Sequence, residues 1–296
     1  MSNAGEHLIR YRVENGLSQS QLALKLGISQ AHISRIEKGT SNIPASLAEK
    51  IQTLIKRPVQ THEFKLDYTE EGRWRIASFK YPQKVSGDKI YINTKSAADK
   101  LWLLHCDAVG SSLASNKDGE LLISSFETVI NSNPGFGVSA ESVYVSMNRT
   151  IKNTKNMWKG EPSANIISLS RDSNRMDVIC GGMPNPIFFE NKATAGQRVS
   201  MPKDAALLGS MSVKDYPVAH VKFLKKDDFM FFASDGFEDF YKQISRLPLI
   251  ELFISLGRVH KGDVEGMGEK FLRVISEFAG LQKSNDDMSF LLISVR

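Results

Sequence analysis

The spacing of apolar residues changes once along this chain, and the change demands two kinds of architecture. Up to residue 58 the apolar positions recur at helical spacing. Leu8, Ile9 and Val13 share one helical face, and Asn15-Gly16 stops that helix. Ser18 is a capping residue for a second helix, with Gln21 three positions on; Leu22, Leu24 and Leu26 follow and Gly27 closes the turn. Ser29 caps a third helix that ends at Gly39, and Pro44 opens a last one through Leu47, Ile51 and Ile55. Arg57-Pro58 disfavours further helix, which puts a linker at about residues 57–62. From Trp74 onward the period is two, over Trp74 to Tyr81 and Lys89 to Ile92. Leu101 to His105 is an unbroken apolar run of the kind a buried strand carries. Further strands are expected near residues 164–169, 176–180, 220–223, 229–234 and 289–295, with helices near 121–130, 140–154, 248–256 and 264–278. That order is α+β. The expected domains are 1–58 and 63–296.

Composition narrows the classes. With 41% hydrophobic and 24% charged residues the chain is globular in character. No stretch approaches the roughly 20 apolar residues needed to span a bilayer. The N-terminus is polar and lacks the apolar core of a signal peptide, so a cytoplasmic protein with no membrane partner is expected. Cys106 and Cys180 supply neither a disulfide framework nor a zinc site. Charge is uneven: residues 1–58 hold eight basic against four acidic side chains, whereas the remainder holds 30 against 29. A basic head on a nearly neutral body suits a polyanion partner for the head.

Helix, glycine turn, helix is the layout of a helix-turn-helix. Leu17-Ser18-Gln19, Leu22-Ala23, Leu26-Gly27-Ile28-Ser29, Ile33-Ser34, Ile36-Glu37 and Gly39 resemble the phage-repressor (XRE/Cro) family over essentially all of this small domain. The resemblance implies that the helix from Gln30 lies in the major groove of double-stranded DNA. Gln30 suits adenine, Arg35 suits guanine, and the Ala31 methyl suits a thymine methyl, with His32 on the same helix. Gln19 stands where relatives contact a phosphate. Arg12 and Glu37 match a structural ion pair of that family. Paired half-sites suit paired heads, so a homodimer is expected.

In the larger region four aspartates, Asp88, Asp107, Asp235 and Asp286, sit where strands start or stop. An acid at the mouth of an apolar strand is expensive to desolvate without a positive partner. No lysine or arginine adjoins Asp107 or Asp235 in sequence. Hard divalent cations, Mg²⁺ or Mn²⁺, are the natural counter-charge for an all-oxygen site. Neither cysteine has an arginine six positions on; Ser112 and Pro186 stand there, which removes the cysteine-nucleophile phosphatase route. No Gly-rich loop ending in Lys-Ser or Lys-Thr is present to cradle a nucleotide.

Ser86-Gly87-Asp88, His105-Cys106-Asp107-Ala108-Val109-Gly110, Gly181-Gly182-Met183-Pro184-Asn185-Pro186, Ser234-Asp235-Gly236-Phe237-Glu238-Asp239 and Asp286-Asp287-Met288-Ser289 resemble the protein phosphatase 2C-like serine phosphatases of the SpoIIE type, in order and spacing. The resemblance implies a four-layer α-β-β-α sandwich of two antiparallel sheets after the small all-α helix-turn-helix domain. It implies two Mn²⁺ or Mg²⁺ ions and hydrolysis of phosphoserine or phosphothreonine on a phosphorylated protein, often an anti-sigma-factor antagonist. Asp107 would bridge both ions, with the Ala108 carbonyl as an extra ligand; Asp235 and Asp286 would hold one ion, and Asp88 would contribute to the other. Asp107 and Asp235 are the catalytic pair on this reading. Asp287 stands where relatives carry Asp or Asn and is left outside the ligand set. Lys84 and Lys89 are the candidates for a phosphate-binding cation. The turn after Asp107 departs from the family, reading Ala108, then Gly110-Ser111-Ser112. That departure keeps a second class open, a DNA-binding regulator whose phosphatase-like region senses without turnover. In a third, the helix-turn-helix serves only for docking or dimerisation.

Overall fold

The computed structural model describes residues 8–9, 11–12, 17, 19–41, 44, 47, 50, 66–81, 86–94, 99–110, 113–132, 138–154, 157–158, 160–190, 197–198, 206–210, 217–244, 249–260, 262–279 and 286–296. Helix α1 (Gln19–Leu26) and helix α2 (Gln30–Glu37) are joined through Gly27, whose φ of +70° is the left-handed turn conformation that glycine adopts without strain. The Ser29 hydroxyl accepts from the His32 backbone N–H at 3.2 Å, the expected cap of α2. Leu22, Leu26, Ile33 and Ile36 are buried, together with Leu8, Leu17 and Leu47. The Ser18 cap, the linker and most of the last expected helix lie outside the described residues.

The remaining elements build two antiparallel sheets. The first takes β1 (Leu66–Glu71), β2 (Trp74–Tyr81), β11 (Met288–Val295), β10 (Phe229–Ala233), β7 (Ile187–Phe189) and β8 (Gln197–Arg198), in that spatial order. The second takes β3 (Lys89–Asn93), β4 (Lys100–Asp107), β5 (Ser163–Ser170), β6 (Arg175–Gly181) and β9 (His220–Phe223). Helices α3 (Leu113–Asn131) and α4 (Ala140–Asn153) pack on the second sheet; α5 (Asp235–Ile244), α6 (Leu249–His260) and α7 (Val264–Ala279) pack on the first. The result is the expected α-β-β-α sandwich.

Alternation along each strand explains the layers. In β4, Leu101 and Leu103 face the gap between the sheets, while Trp102, Leu104 and Cys106 face α3 and α4. In β11, Leu291 and Ile293 face the gap, while Met288, Phe290 and Leu292 face the other helices. Both faces are covered, so these strands read as continuous apolar runs. Behind the first sheet the helical layer is aromatic; Phe231 of β10 stacks on Phe271 of α7 at 5.2 Å between centroids.

Five elements differ from the sequence reading, two of them the short strands β7 and β8, which the sequence reading did not place. Helix α3 begins at Leu113 rather than Leu121, because Gly119, which blurs the helical pattern, is there for contact: a Cβ on it would lie 2.7 Å from the Lys89 Cγ. Strand β1 is a polar sheet edge and carries little apolar signal. Helix α5 was hidden by its Asp235-Gly236 start, which reads as a turn, although Phe237, Phe240 and Tyr241 already have helical spacing. Among the described residues no helix is long and apolar enough to cross a membrane.

Candidate functional site

The inward-facing parity of the strands carries apolar side chains along most of its length and polar ones at one end. On β4 the inward series runs Leu101, Leu103, His105, Asp107; on β11 it runs Ile293, Leu291, Ser289 and then Asp287. Register brings these ends together. Lys89 pairs with Cys106, so one step further sets Asp88 across from Asp107, and the Ala108 N–H donates to the Gly87 carbonyl at 3.3 Å. Ala233 pairs with Phe290, and beyond them Ser234 and Ser289 exchange hydrogen bonds: Ser234 N–H to the Ser289 carbonyl at 2.9 Å, and Ser289 N–H to the Ser234 hydroxyl at 3.0 Å. His105 is fully buried and its Nε2 lies 2.7 Å from the Ser289 hydroxyl. Burial pushes the His105 imidazole down to about 3, so it is neutral, a strand residue as the sequence suggested.

The four aspartates converge on Asp107. Its carboxyl is pushed up to about 8, by burial first and then by the charges of Asp88, Asp235 and Asp286. Asp88 is 1% exposed, and neither of its carboxylate oxygens has a hydrogen-bond partner of good geometry, although the Ser289 and Ser234 hydroxyls and the Asp107 carboxyl stand near. Its carboxyl is pushed up to about 6, mainly by burial. Asp235 and Asp286 are exposed, and each accepts from the next backbone N–H, Gly236 at 2.8 Å and Asp287 at 2.9 Å. Among the described residues no three His, Cys, Asp or Glu side chains are arranged to hold a metal ion as they stand. Those two carboxylates are turned onto their own backbones, whereas Asp88 and Asp107 are turned inward. The donor set still fits a hard cation. Two bare oxygens on a buried carboxylate, beside a second carboxylate that holds its proton for want of a counter-charge, are what a divalent ion would satisfy. The Ala108 carbonyl oxygen lies against Gly87, beside Asp88.

Two glycines make the approach feasible. A Cβ on Gly87 would sit 2.4 Å from the Ala108 carbonyl oxygen, and one on Gly236 would sit 2.0 Å from the Asp287 carbonyl oxygen. Both obstacles are backbone and cannot swing aside. Gly236→Ala is therefore expected to destabilise the fold by about 1–3 kcal/mol, read as a lower urea midpoint.

Other expected residues find places outside this cluster. The Lys89 ammonium is held by Asn116 at 2.8 Å and Glu120 at 2.7 Å, both on α3, so it is not a loose cation for phosphate; Lys84 lies outside the described residues. Cys106 and Cys180 are free and buried, and burial pushes both thiols up, away from the thiolate a nucleophile needs. Asp287, left outside the ligand set, is buried and its Oδ2 accepts from the Gly87 N–H at 2.5 Å. The signal for it was parity: two residues before Ser289, it shares that residue's face.

On the small helical region, Gln30, Ala31 and Arg35 are exposed on α2, and His32 is half-buried beside them. Arg12 and Glu37 form the expected two-pronged ion pair, with Nη2 to Oε2 at 3.0 Å. Gln19 donates to Glu37 at 2.9 Å and accepts from Gln30 at 2.7 Å. The two glutamines are thus ordered before any ligand arrives.

Known proteins agree with both regions. Residues 8–60 match the helix-turn-helix family, and residues 97–296 match the family of Stage II sporulation protein E (SpoIIE). The HTH-type transcriptional repressor RghR of Bacillus subtilis (strain 168) is 38% identical over 72 residues, which is 24% of this chain and 53% of that protein, so the match spans about half the length of the curated relative. Among solved structures, the SiaA-PP2C domain of Pseudomonas aeruginosa is similar with a TM-score of 0.59 at 13% identity, over 83% of this chain and 89% of that one. The PP2C phosphatase domain of the Bacillus subtilis cell fate determinant SpoIIE is similar with a TM-score of 0.57 at 14% identity, over 83% and 75% respectively. At such identities the structural likeness speaks for the fold, and the sequence match speaks for the lineage. With its aspartates gathered at one end of a two-sheet sandwich and a repressor-like helix pair ahead of it, the chain belongs to the SpoIIE family, fused to an N-terminal helix-turn-helix.

Proposed function

We propose that this chain is a metal-dependent phosphoprotein serine/threonine phosphatase under a DNA-binding head, a regulator of bacterial transcription or stress signalling. The head is residues 1–58 and the phosphatase 63–296. One observation carries the enzymatic half: a buried carboxylate with no well-formed hydrogen bond, Asp88, facing an Asp107 that feels three other acids. Asp88, Asp107, the Ala108 carbonyl, Asp235 and Asp286 would hold two Mn²⁺ or Mg²⁺ ions. Such a pair, when bound, supplies Lewis-acid activation of water and neutralises charge on the phosphoryl oxygens, so no covalent enzyme intermediate is needed. The chain's own contribution is placement. Asp88 and Asp107 face each other from paired strands, Ser234 and Ser289 lock the neighbouring strand ends, and His105 stays neutral and out of the proton traffic. Phosphate release from a chromogenic phosphate ester and a phosphoserine peptide, measured with and without Mn²⁺, tests the assignment. The absence of a Mn²⁺-dependent difference between the native chain and Asp107→Ala overturns it.

The phosphoprotein is proposed to be a signalling antagonist of an anti-sigma factor, with double-stranded DNA as the second partner and a homodimer as the DNA-bound form. The hydrogen bond between Gln19 and Gln30 supports DNA reading, since a donor and acceptor pair already joined loses less freedom on binding. Gln30→Ala with Arg35→Ala is expected to weaken binding to a selected duplex by about tenfold or more while leaving weak, salt-sensitive binding to random DNA. Equal affinity of the double variant, in fluorescence anisotropy at fixed salt, would assign the head to docking or dimerisation instead. The second reading, a regulator that senses without turnover, is favoured by the altered turn at Ala108 to Ser112. It is the outcome in which Mn²⁺ binds and no substrate is hydrolysed.

A further inference from the structure

Asp287 joins the two sides of the acidic cluster. Asp88 follows the loop at Gly87; Asp235 opens α5 just after β10, and Asp286 stands just before β11. The Asp287 side chain crosses between them: its Oδ2 accepts from the Gly87 N–H at 2.5 Å, a contact that spans 200 positions of sequence. Its own N–H donates to the Asp286 carboxylate at 2.9 Å. Its carbonyl oxygen fills the space that a side chain on Gly236 would need. One buried residue therefore touches the loop before Asp88, the residue after Asp235, and Asp286.

We propose that Asp287 is a positioning residue, which sets the separation between the Asp88 side and the Asp235–Asp286 side through the hydrogen bonds its carboxylate accepts from the Ser86–Asp88 loop, the Gly87 N–H foremost, and does not itself bind metal. The proposal rests on the reading of this cluster as a divalent-metal centre. Its chemistry is specific. Accepting from an N–H needs an oxygen lone pair, which an amide carbonyl supplies as well as a carboxylate does. Binding a hard cation draws on the negative charge that the amide lacks. The buried Gly87 N–H, left alone, would lose its partner and the loop its anchor.

The decisive comparison is Mn²⁺ binding by the full chain, measured by isothermal titration calorimetry for the native protein, Asp287→Asn and Asp287→Ala, alongside hydrolysis of the chromogenic ester as a function of Mn²⁺. Asp287→Asn is expected to match the native chain in Mn²⁺ affinity and turnover. Asp287→Ala is expected to bind Mn²⁺ about tenfold more weakly, with kcat at saturating Mn²⁺ within about threefold of native. Two results overturn the proposal: loss of Mn²⁺ affinity in Asp287→Asn, which would make the residue a ligand, or native Mn²⁺ affinity in Asp287→Ala, which would make the bond ordinary packing. Should Asp287→Ala fail to fold, the Asn variant still decides, because full Mn²⁺ affinity there supports the acceptor role and its loss refutes it. A native chain that binds Mn²⁺ without hydrolysis sinks the phosphatase reading alone. One that binds no Mn²⁺ sinks both.

Discussion

Asp107→Ala is expected to abolish the proposed manganese-dependent phosphate release, lowering turnover on the chromogenic ester by about a thousandfold or more, equivalent to about 4 kcal/mol of barrier. The size follows from position. Asp107 is the carboxylate on which Asp88, Asp235 and Asp286 all act. Deleting any other acid leaves one side of the cluster furnished, whereas deleting this one removes the group both sides share. The loss is expected to be chemical and not a failure to fold, since the substitution takes a largely buried acid away from three other acids. Initial rates across a Mn²⁺ series measure it, with a thermal melt to check the fold. A drop smaller than about tenfold at saturating Mn²⁺ would move the centre of the chemistry elsewhere.

Asp88→Asn is expected to raise the stability of the metal-free protein while weakening the proposed metal binding. Both Asp88 oxygens are buried without a well-formed hydrogen bond, and burial pushes the carboxyl from 3.8 to about 6. For an acid raised in the folded state, the fold binds the proton more tightly than the unfolded chain does. Stability from this group is intact below about pH 4, falls as pH climbs through the folded value near 6, and is at its lowest at neutral pH. The asparagine variant should therefore melt several degrees above the native chain at pH 7 in chelator, and the gap should close near pH 4. Saturating Mn²⁺ should reverse the order by stabilising only the native chain. Equal melting points at pH 7 in chelator would mean that the Asp88 charge is already satisfied.

Much of this was legible beforehand. Strands such as β4 and β10, buried on both faces, announce themselves as apolar runs, and the order of the four acids along the chain is carried by residue type alone. What the sequence could not carry is cross-strand placement. Nothing near Asp287 reveals that it reaches Gly87, because the bond depends on the register of β11 against its neighbours and on the loop before β3. Lys89 looked like a phosphate ligand until α3, starting earlier than its glycine-interrupted pattern suggested, supplied Asn116 and Glu120. The helix-turn-helix lay nearer the surface of its sequence, since its caps and glycine turns act within a few residues.

The four acids stand at the open end of a seam whose remaining length is closed by aliphatic contacts such as Leu103 and Leu291. On the proposed reading, cation occupancy and sheet spacing would be one mechanical variable. An ion drawing the carboxylates together would zip the same strands that the interior holds, and a swollen or hollowed interior would loosen its grip on the ion. Evolution could retune metal affinity in such a protein from the middle of the sandwich, without altering any residue at the mouth.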